Sequence, residues 1–462
     1  MIALSLPPPP CTSQIFISIS QEVNPMKAKS SPFLSRRTLV QGSAWAVPLV
    51  TASATIPAYA SSVECEYGGY EQAFANTSAD GTSRTYTVTV DKKTKAFKFS
   101  ITGGSGGSYQ GSAQGGIGGA GATVSGAVNV NEGDVITFIV AGGGGPYGST
   151  ASTPGRGWAD GGSHVGAYIG TNSQVQRFQE HPGGLMEFYA PTGGGASAVL
   201  LNGTVIAIAG GGGAGGDRQT LYTDWREDSL GPRPADFKSL YFTPGTVANG
   251  GTGGSGDTNG GSYEEIYHYF PGLGLKMNGG LGGRDGRGGA GGTVGGTVNT
   301  RNITSVSYEN NAEHSTINQY LAGSMGDDAR LTGNGSNGGT GGSGVVGIGM
   351  VNTTNSSDEE VNQCSILHGA TGGGGYGGGG SGSVTTSGGY ITDQSWTRET
   401  YGPWTTRTWS PVGASAFSGG GAGGSYVDSS QVYNFNISSG TTPGSPGRRV
   451  NGTAESSLCK LS

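Results

Sequence analysis

In five separate stretches of this chain, glycine takes two of every three positions. They are Gly103-Gly104-Ser105-Gly106-Gly107, Gly115 to Ala120, Gly250 to Ser255, Gly288-Gly289-Ala290-Gly291-Gly292 and Gly338 to Ser343. A polyproline-II-type helix has three residues per turn, so a G-G-x repeat gives it two bare edges and one decorated edge. Bare edges let neighbouring backbones approach and exchange the hydrogen bonds that a lone helix of this type leaves open. Floppy Gly/Ser linkers would share the composition. The x positions Ile117, Ala120, Thr252 and Ala290 favour packed tracts, as do the good strands that bracket them.

Glycine supplies 95 of the 462 residues, and only 12% are charged. A helix-rich fold is disfavoured, because each interior glycine costs a helix up to about 1 kcal/mol. Collagen needs an unbroken every-third-glycine frame, which is absent from this sequence. Sparse charge and many β-branched and aromatic residues argue against charged disorder. The expected fold is mainly β: a β-sandwich-like body with packed polyglycine-II helices and irregular loops.

The strand signals are local. Thr85 to Val90 alternates, Asp91 to Thr94 is a polar turn, and Phe97, Phe99 and Ile101 resume the alternation, which predicts an opening hairpin. A second hairpin is expected from Ala127–Val130 through Asn131-Glu132-Gly133-Asp134 to Val135–Val140. A third joins Ser197–Leu201 to Thr204–Ala209 around Asn202-Gly203, the favoured type I′ turn. The second and third each run straight into four glycines, Gly142–Gly145 and Gly210–Gly213. From about Asp217 to Phe270 glycine is scarce until Gly245, and the segment reads as an insertion with a short strand at Ser239–Phe242.

The N-terminus carries an address. Ser35-Arg36-Arg37-Thr38-Leu39-Val40 is close to the pattern of a twin-arginine export signal, with Arg36 and Arg37 as the pair. A weakly apolar stretch follows, and Ala58-Tyr59-Ala60 predicts cleavage between Ala60 and Ser61. Residues 26–60 therefore form the signal peptide. Residues 1–25 do not fit it, and translation is expected to start at Met26, just before the basic Lys27 and Lys29. Residues 61–462 form the glycine-rich β domain. Four of the 25 basic residues and one of the 31 acids lie in the leader, which leaves 21 bases, 30 acids and a formal charge of −9. That balance disfavours nucleic acid and anionic lipid as partners. The apolar run, broken by Pro48 and Pro57, is too short for a membrane span. No sorting tail follows Asn451-Gly452-Thr453, so covalent wall anchoring is not expected.

Cleavage leaves Cys65, Cys364 and Cys459. In an oxidising exterior, a Cys65–Cys459 bridge would tie the two ends together. Free thiols or a pairing with Cys364 are the alternatives. Metal and cofactors are not expected, since no C-x-x-C or nearby histidine cluster accompanies any of these cysteines. His164, His181, His268, His314 and His368 lack zinc spacing and read as surface residues, solvated or hydrogen-bonded. Gly253 to Asp257 stands alone as a fragment of a calcium repeat, and Asp327-Asp328 reads as a solvated turn. With glycine so abundant, a G-x-G-x-x-G match carries no specificity, and no G-x-x-x-x-G-K-[ST] exists. Gly103 to Gly107 satisfies G-x-S-x-G without the helix that a serine nucleophile requires. The protein is not expected to be an enzyme.

Apolar strands feeding into glycine runs recur at Val135–Gly145 and Gly193–Gly213, with later blocks at Gly372–Gly380 and Gly419–Val427. This pattern resembles bacterial glycine-rich secreted proteins and the glycine-rich extracellular domain of the anaplastic lymphoma kinase and leukocyte tyrosine kinase receptors. The resemblance spans about Phe97 to Val427. It implies the sandwich-like body with a polyglycine bundle, and recognition of an extracellular protein or surface. Glycine-rich phage adhesins, whose loops project from such a bundle, are a second analogue. The expected function is an exported, non-enzymatic adhesion or interaction module for protein or carbohydrate; a structural envelope component without a specific ligand is the alternative. Two aromatic interruptions are the expected binding surface: Tyr222, Trp225 and Arg226 in the first, Trp396, Tyr401 and Trp404 in the second. The same aromatics would also serve as core or lid residues.

Overall fold

A computed structural model describes residues 70–109, 115–148, 151–164, 185–220, 248–254, 258–266, 274–295, 315–329, 339–354, 360–389 and 412–460. The chain divides into units 1–62 and 63–462, and all described residues lie in the second. Every regular element among them is a strand. The first five are β1 (Gln72–Ala75), β2 (Arg84–Thr89), β3 (Thr94–Thr102), β4 (Ala122–Asn129) and β5 (Val135–Val140). Next come β6 (Leu185–Tyr189), β7 (Ser197–Leu201), β8 (Thr204–Ala209), β9 (Asp217–Thr220) and β10 (Tyr263–Ile266). Then follow β11 (Gly274–Met277), β12 (Val294–Gly295), β13 (Ser315–Leu321), β14 (Val346–Thr354) and β15 (Glu360–His368). The last are β16 (Val384–Gly389), β17 (Val412–Phe417), β18 (Tyr426–Val427), β19 (Val432–Ser439) and β20 (Thr453–Lys460).

Two five-stranded sheets, β1-β20-β3-β4-β19 and β18-β8-β7-β5-β2, contribute to one apolar cluster. Phe97, Phe99 and Ile101 of β3 meet Ile136, Phe138 and Val140 of β5 there, with Val199 and Ile206. The first two expected hairpins are corrected by this arrangement. Their strands form, but β2 pairs with β5, and β3 pairs with β4 and β20. Both turns carry the backbone from one sheet to the other. Alternation fixes which face of a strand is apolar, not which strand lies beside it, and crossing to the other sheet puts both apolar faces in one cluster. The third hairpin pairs as expected, with Leu201 opposite Thr204 and positive φ at Asn202 (50°) and Gly203 (82°).

A seven-stranded sheet, β6-β15-β14-β13-β16-β17-β9, and a three-stranded one, β10-β11-β12, complete the strands. The glycine tracts that connect the strands bond to one another with a period of three. Ser418, Gly421 and Gly424 donate to the carbonyls of Ser383, Gly380 and Gly377. Gly419 and Ala422 donate to Gly261 and Thr258, and Gly420 and Gly423 to Ala214 and Gly211. Each third amide thus meets the same neighbour, and three neighbours surround one tract. A Cβ on Gly118 would sit far inside contact distance of the Gly106 carbonyl, so these backbones approach as only glycine allows.

The x positions split. Ile117 (44% exposed) and Ala290 face outward, whereas Ser105 (3%) and Ala120 (3%) are buried. Ser105 Oγ donates to the Thr442 carbonyl at 2.7 Å. Of the expected insertion, residues 221–247, with the strand at Ser239–Phe242, lie outside the described residues. Its flanks take part in the body: β9 borders β17, and Gly250 and Gly251 donate to Ile117 and Gly420.

Candidate functional site

Two arrangements concentrate side-chain chemistry among the described residues. The first is buried. Parallel pairing of β6 with β15 sets Tyr189 opposite His368. Glu187, two residues before Tyr189, shares its face of the strand. His368 is fully buried and its Nε2 lies 2.6 Å from Glu187 Oε1. The Tyr189 ring stacks on His368 at 4.1 Å, and His164 meets His368 edge-on at 5.7 Å. This corrects the surface reading of His164 and His368: both belong to an interior cluster, His164 with its ring nitrogens buried and His368 next to the fully buried Ile366 and Leu367. Burial pushes His164 down to about 3, with His368 adding to the shift, while the Ala190 carbonyl opposes it. Burial also lowers His368, against the pull of the Glu187 carboxylate. Burial and the same carboxylate push the Tyr189 phenol up to about 12. The contact between the His368 imidazole and the buried Glu187 carboxylate ties β15 to β6. No group of three His, Cys, Asp or Glu among the described residues is arranged to hold a metal ion.

The second arrangement is exposed. Three adjacent glycine segments, 278–284, 287–293 and 322–328, run antiparallel to their neighbours. Asn278, Leu281 and Arg284 donate backbone hydrogen bonds to Thr293, Ala290 and Arg287 (2.8, 2.8 and 3.0 Å). Gly323 and Gly326 donate in turn to Gly292 and Gly289. These pairings place side chains in three ranks across the segments: Asn278, Thr293 and Ala322; Leu281, Ala290 and Met325; Arg284, Arg287 and Asp328. Leu281 is 47% and Met325 65% exposed, and Ala290, Arg284, Arg287 and Asp328 are exposed too. Arg284 and Arg287 close a tight turn over Asp285 (φ 50°) and Gly286 (φ 77°). A cleft of about 490 Å³ lies here, lined by Leu281, Arg284, Asp285, Arg287 and Ala290.

The expected surface is not what this face is built from. Tyr222, Trp225, Arg226, Trp396, Tyr401 and Trp404 all lie outside the described residues, as do Arg36, Arg37, Ala60, Ser61 and Cys65. Asp328 does more than solvate a turn, since its Oδ1 accepts from the Gly288 amide at 2.8 Å. The sequence did contain the signal for the exposed ranks. Gly279-Gly280-Leu281-Gly282-Gly283 is one more G-G-x tract, and its large x residue next to Ala290 marks a decorated edge. Cys459 is disulfide-bonded. The protein matches no protein-family model and no curated protein. Among the described residues no helix is long and apolar enough to cross a membrane.

Proposed function

We propose that this protein is an exported, non-enzymatic adhesion or interaction module. Its scaffold is a β-sandwich-like body that carries packed polyglycine-II helices. The period-three hydrogen bonding of the tracts supports the helices, since a helix with three residues per turn directs successive amides to three neighbours. The apolar cluster shared by the two five-stranded sheets supports the sandwich.

The observation that carries the functional reading is the exposed rank of Leu281, Ala290 and Met325 beside Arg284, Arg287 and Asp328. Exposed apolar side chains grouped on a rigid face and rimmed by charge mark an interaction site more often than a bare surface. Glycine tracts hold such a face rigidly, because every backbone beneath it is bonded to its neighbours. The aromatic segments around Trp225 and Trp404 are proposed to widen the same recognition role.

Binding of the purified protein to arrayed glycans and to extracellular matrix proteins tests this. Saturable binding that Leu281→Lys or Met325→Lys weakens at least tenfold, with the melting temperature unchanged, is the expected result. A protein that binds nothing on either surface, and whose loss alters only envelope integrity, would replace the adhesion reading with the structural one.

A further inference from the structure

The charged rank reads Arg284, Arg287, Asp328 across the three segments, positive on one side and negative on the other. Arg284, Arg287, Asp327 and Asp328 make no ion pair with one another among the described residues. The rank beside it reads Leu281, Ala290, Met325, with a long apolar side chain on each flank and the smallest in the middle. All three segments rest on one inner tract: Gly380 donates to Leu281, Gly289 to Gly378, and Ser381 to Ser324. The three segments therefore share one support, and their exposed side chains lie on one face.

We infer that this face binds the same face of a second copy of the protein, about a two-fold axis that lies along segment 287–293. The inference rests on the adhesion reading and gives it a partner. Rotation about that axis keeps each rank at its own height and exchanges the two flanks. Arg284 then faces the partner copy's Asp328, Leu281 faces its Met325, and Ala290 packs on its counterpart. Asp328 of each copy also flanks Arg287, which offsets the approach of the two Arg287 side chains on the axis. A closed two-fold contact needs a self-complementary patch, and this order of side chains is one.

Spacing adds selectivity. Ranks three residues apart on a helix of this type recur about every 9 Å. A second copy repeats that interval, so every rank engages together. An extended strand repeats its side chains on one face about every 7 Å and would match a single rank. The patch spans nine residues per copy, short of the roughly 1,000 Å² that a stable dimer buries. The contact is accordingly weak for a single pair and becomes effective when many copies share a surface and act together.

The test uses beads coated densely with the purified full-length protein, carrying wild type, R284D or D328R. Wild-type beads are expected to clump. R284D sets Asp against Asp and D328R sets Arg against Arg, so each alone should lose at least tenfold in clumping. A mixture of R284D beads with D328R beads restores both cross-pairs and should clump like wild type. Melting temperatures of the variants check that the fold is intact. Leu281→Lys, which spares the charged rank, should also disperse the beads. Dispersed wild-type beads, R284D beads that clump like wild type, or a mixture that fails to recover would each overturn the pairing. Glycan or matrix binding without bead clumping would leave the adhesion reading standing and remove this one. Clumping with no adhesion of cells bearing the protein would do the reverse.

Discussion

His368 and Glu187 sit on adjacent parallel strands with His368 Nε2 2.6 Å from Glu187 Oε1, and their side chains are 0% and 6% exposed. His164 meets the same imidazole edge-on. Both histidines have proton affinities lowered by burial, so the folded state resists taking up protons that the unfolded state accepts. Between the unfolded value near 6.5 and the folded value of about 3 for His164, the unfolded state binds more protons, so stability rises with pH and falls on acidification. Urea titrations at pH 7.5 and pH 4 should differ by on the order of 3 kcal/mol. His164→Phe should flatten that difference; an unchanged pH profile in this variant would assign the acid sensitivity elsewhere.

Gly118→Val places a side chain against the Gly106 carbonyl and should cost about 1–3 kcal/mol or more. Thr252, half-buried, should accept valine with little change. Ser105→Val should not be mild, although Ser105 also occupies an x position. Its hydroxyl is buried and satisfies the Thr442 carbonyl, so about 1–3 kcal/mol should be lost. Melting curves of the three variants should set Thr252→Val, near wild type, apart from the other two.

The last strand is central. β20 lies between β1 and β3, and Ala454 and Leu458 reach the apolar cluster. Deletion of residues 453–462 should therefore abolish cooperative unfolding rather than trim an end. A truncated protein with a sharp, near-wild-type thermal transition would contradict this.

Cys459 is in a disulfide, and the expected partner is Cys65. Non-reducing peptide mapping should recover a Cys65–Cys459 pair, and Cys459→Ser should lose about 2–5 kcal/mol. Recovery of a Cys364–Cys459 peptide instead would reassign the bridge.

Much of the framework was legible from residues close together in sequence. Asn202-Gly203 announces its turn because a type I′ turn demands two positive φ values in a row, and the backbone adopts them. Phe97, Phe99 and Ile101 announce a buried strand face by alternation alone. The pairing of β2 with β5, and the lodging of β20 beside β3, were not legible. Several strands had apolar faces equally fit to share a sheet, and only long-range packing chooses among them.

The candidate site divides in the same way. That Leu281 and Ala290 decorate glycine tracts can be read from the G-G-x spacing. That those tracts lie side by side with 322–328, and so align Leu281, Ala290 and Met325, depends on hydrogen bonds between segments far apart in the sequence. His164, Glu187, Tyr189 and His368 carry no common spacing; parallel pairing of β6 with β15 assembles the last three, and His164 joins them from a separate segment that bridges to Gly344.

The sequence by itself determined the strand character, the close approach of glycine backbones and the period of three, because each follows from steric freedom at single residues and their immediate neighbours. The tertiary structure alone decided which tracts touch, which x positions face water, and which histidines lose it. Those outcomes depend on how the free energy of burying many distant segments is shared among them, and no local pattern encodes that partition.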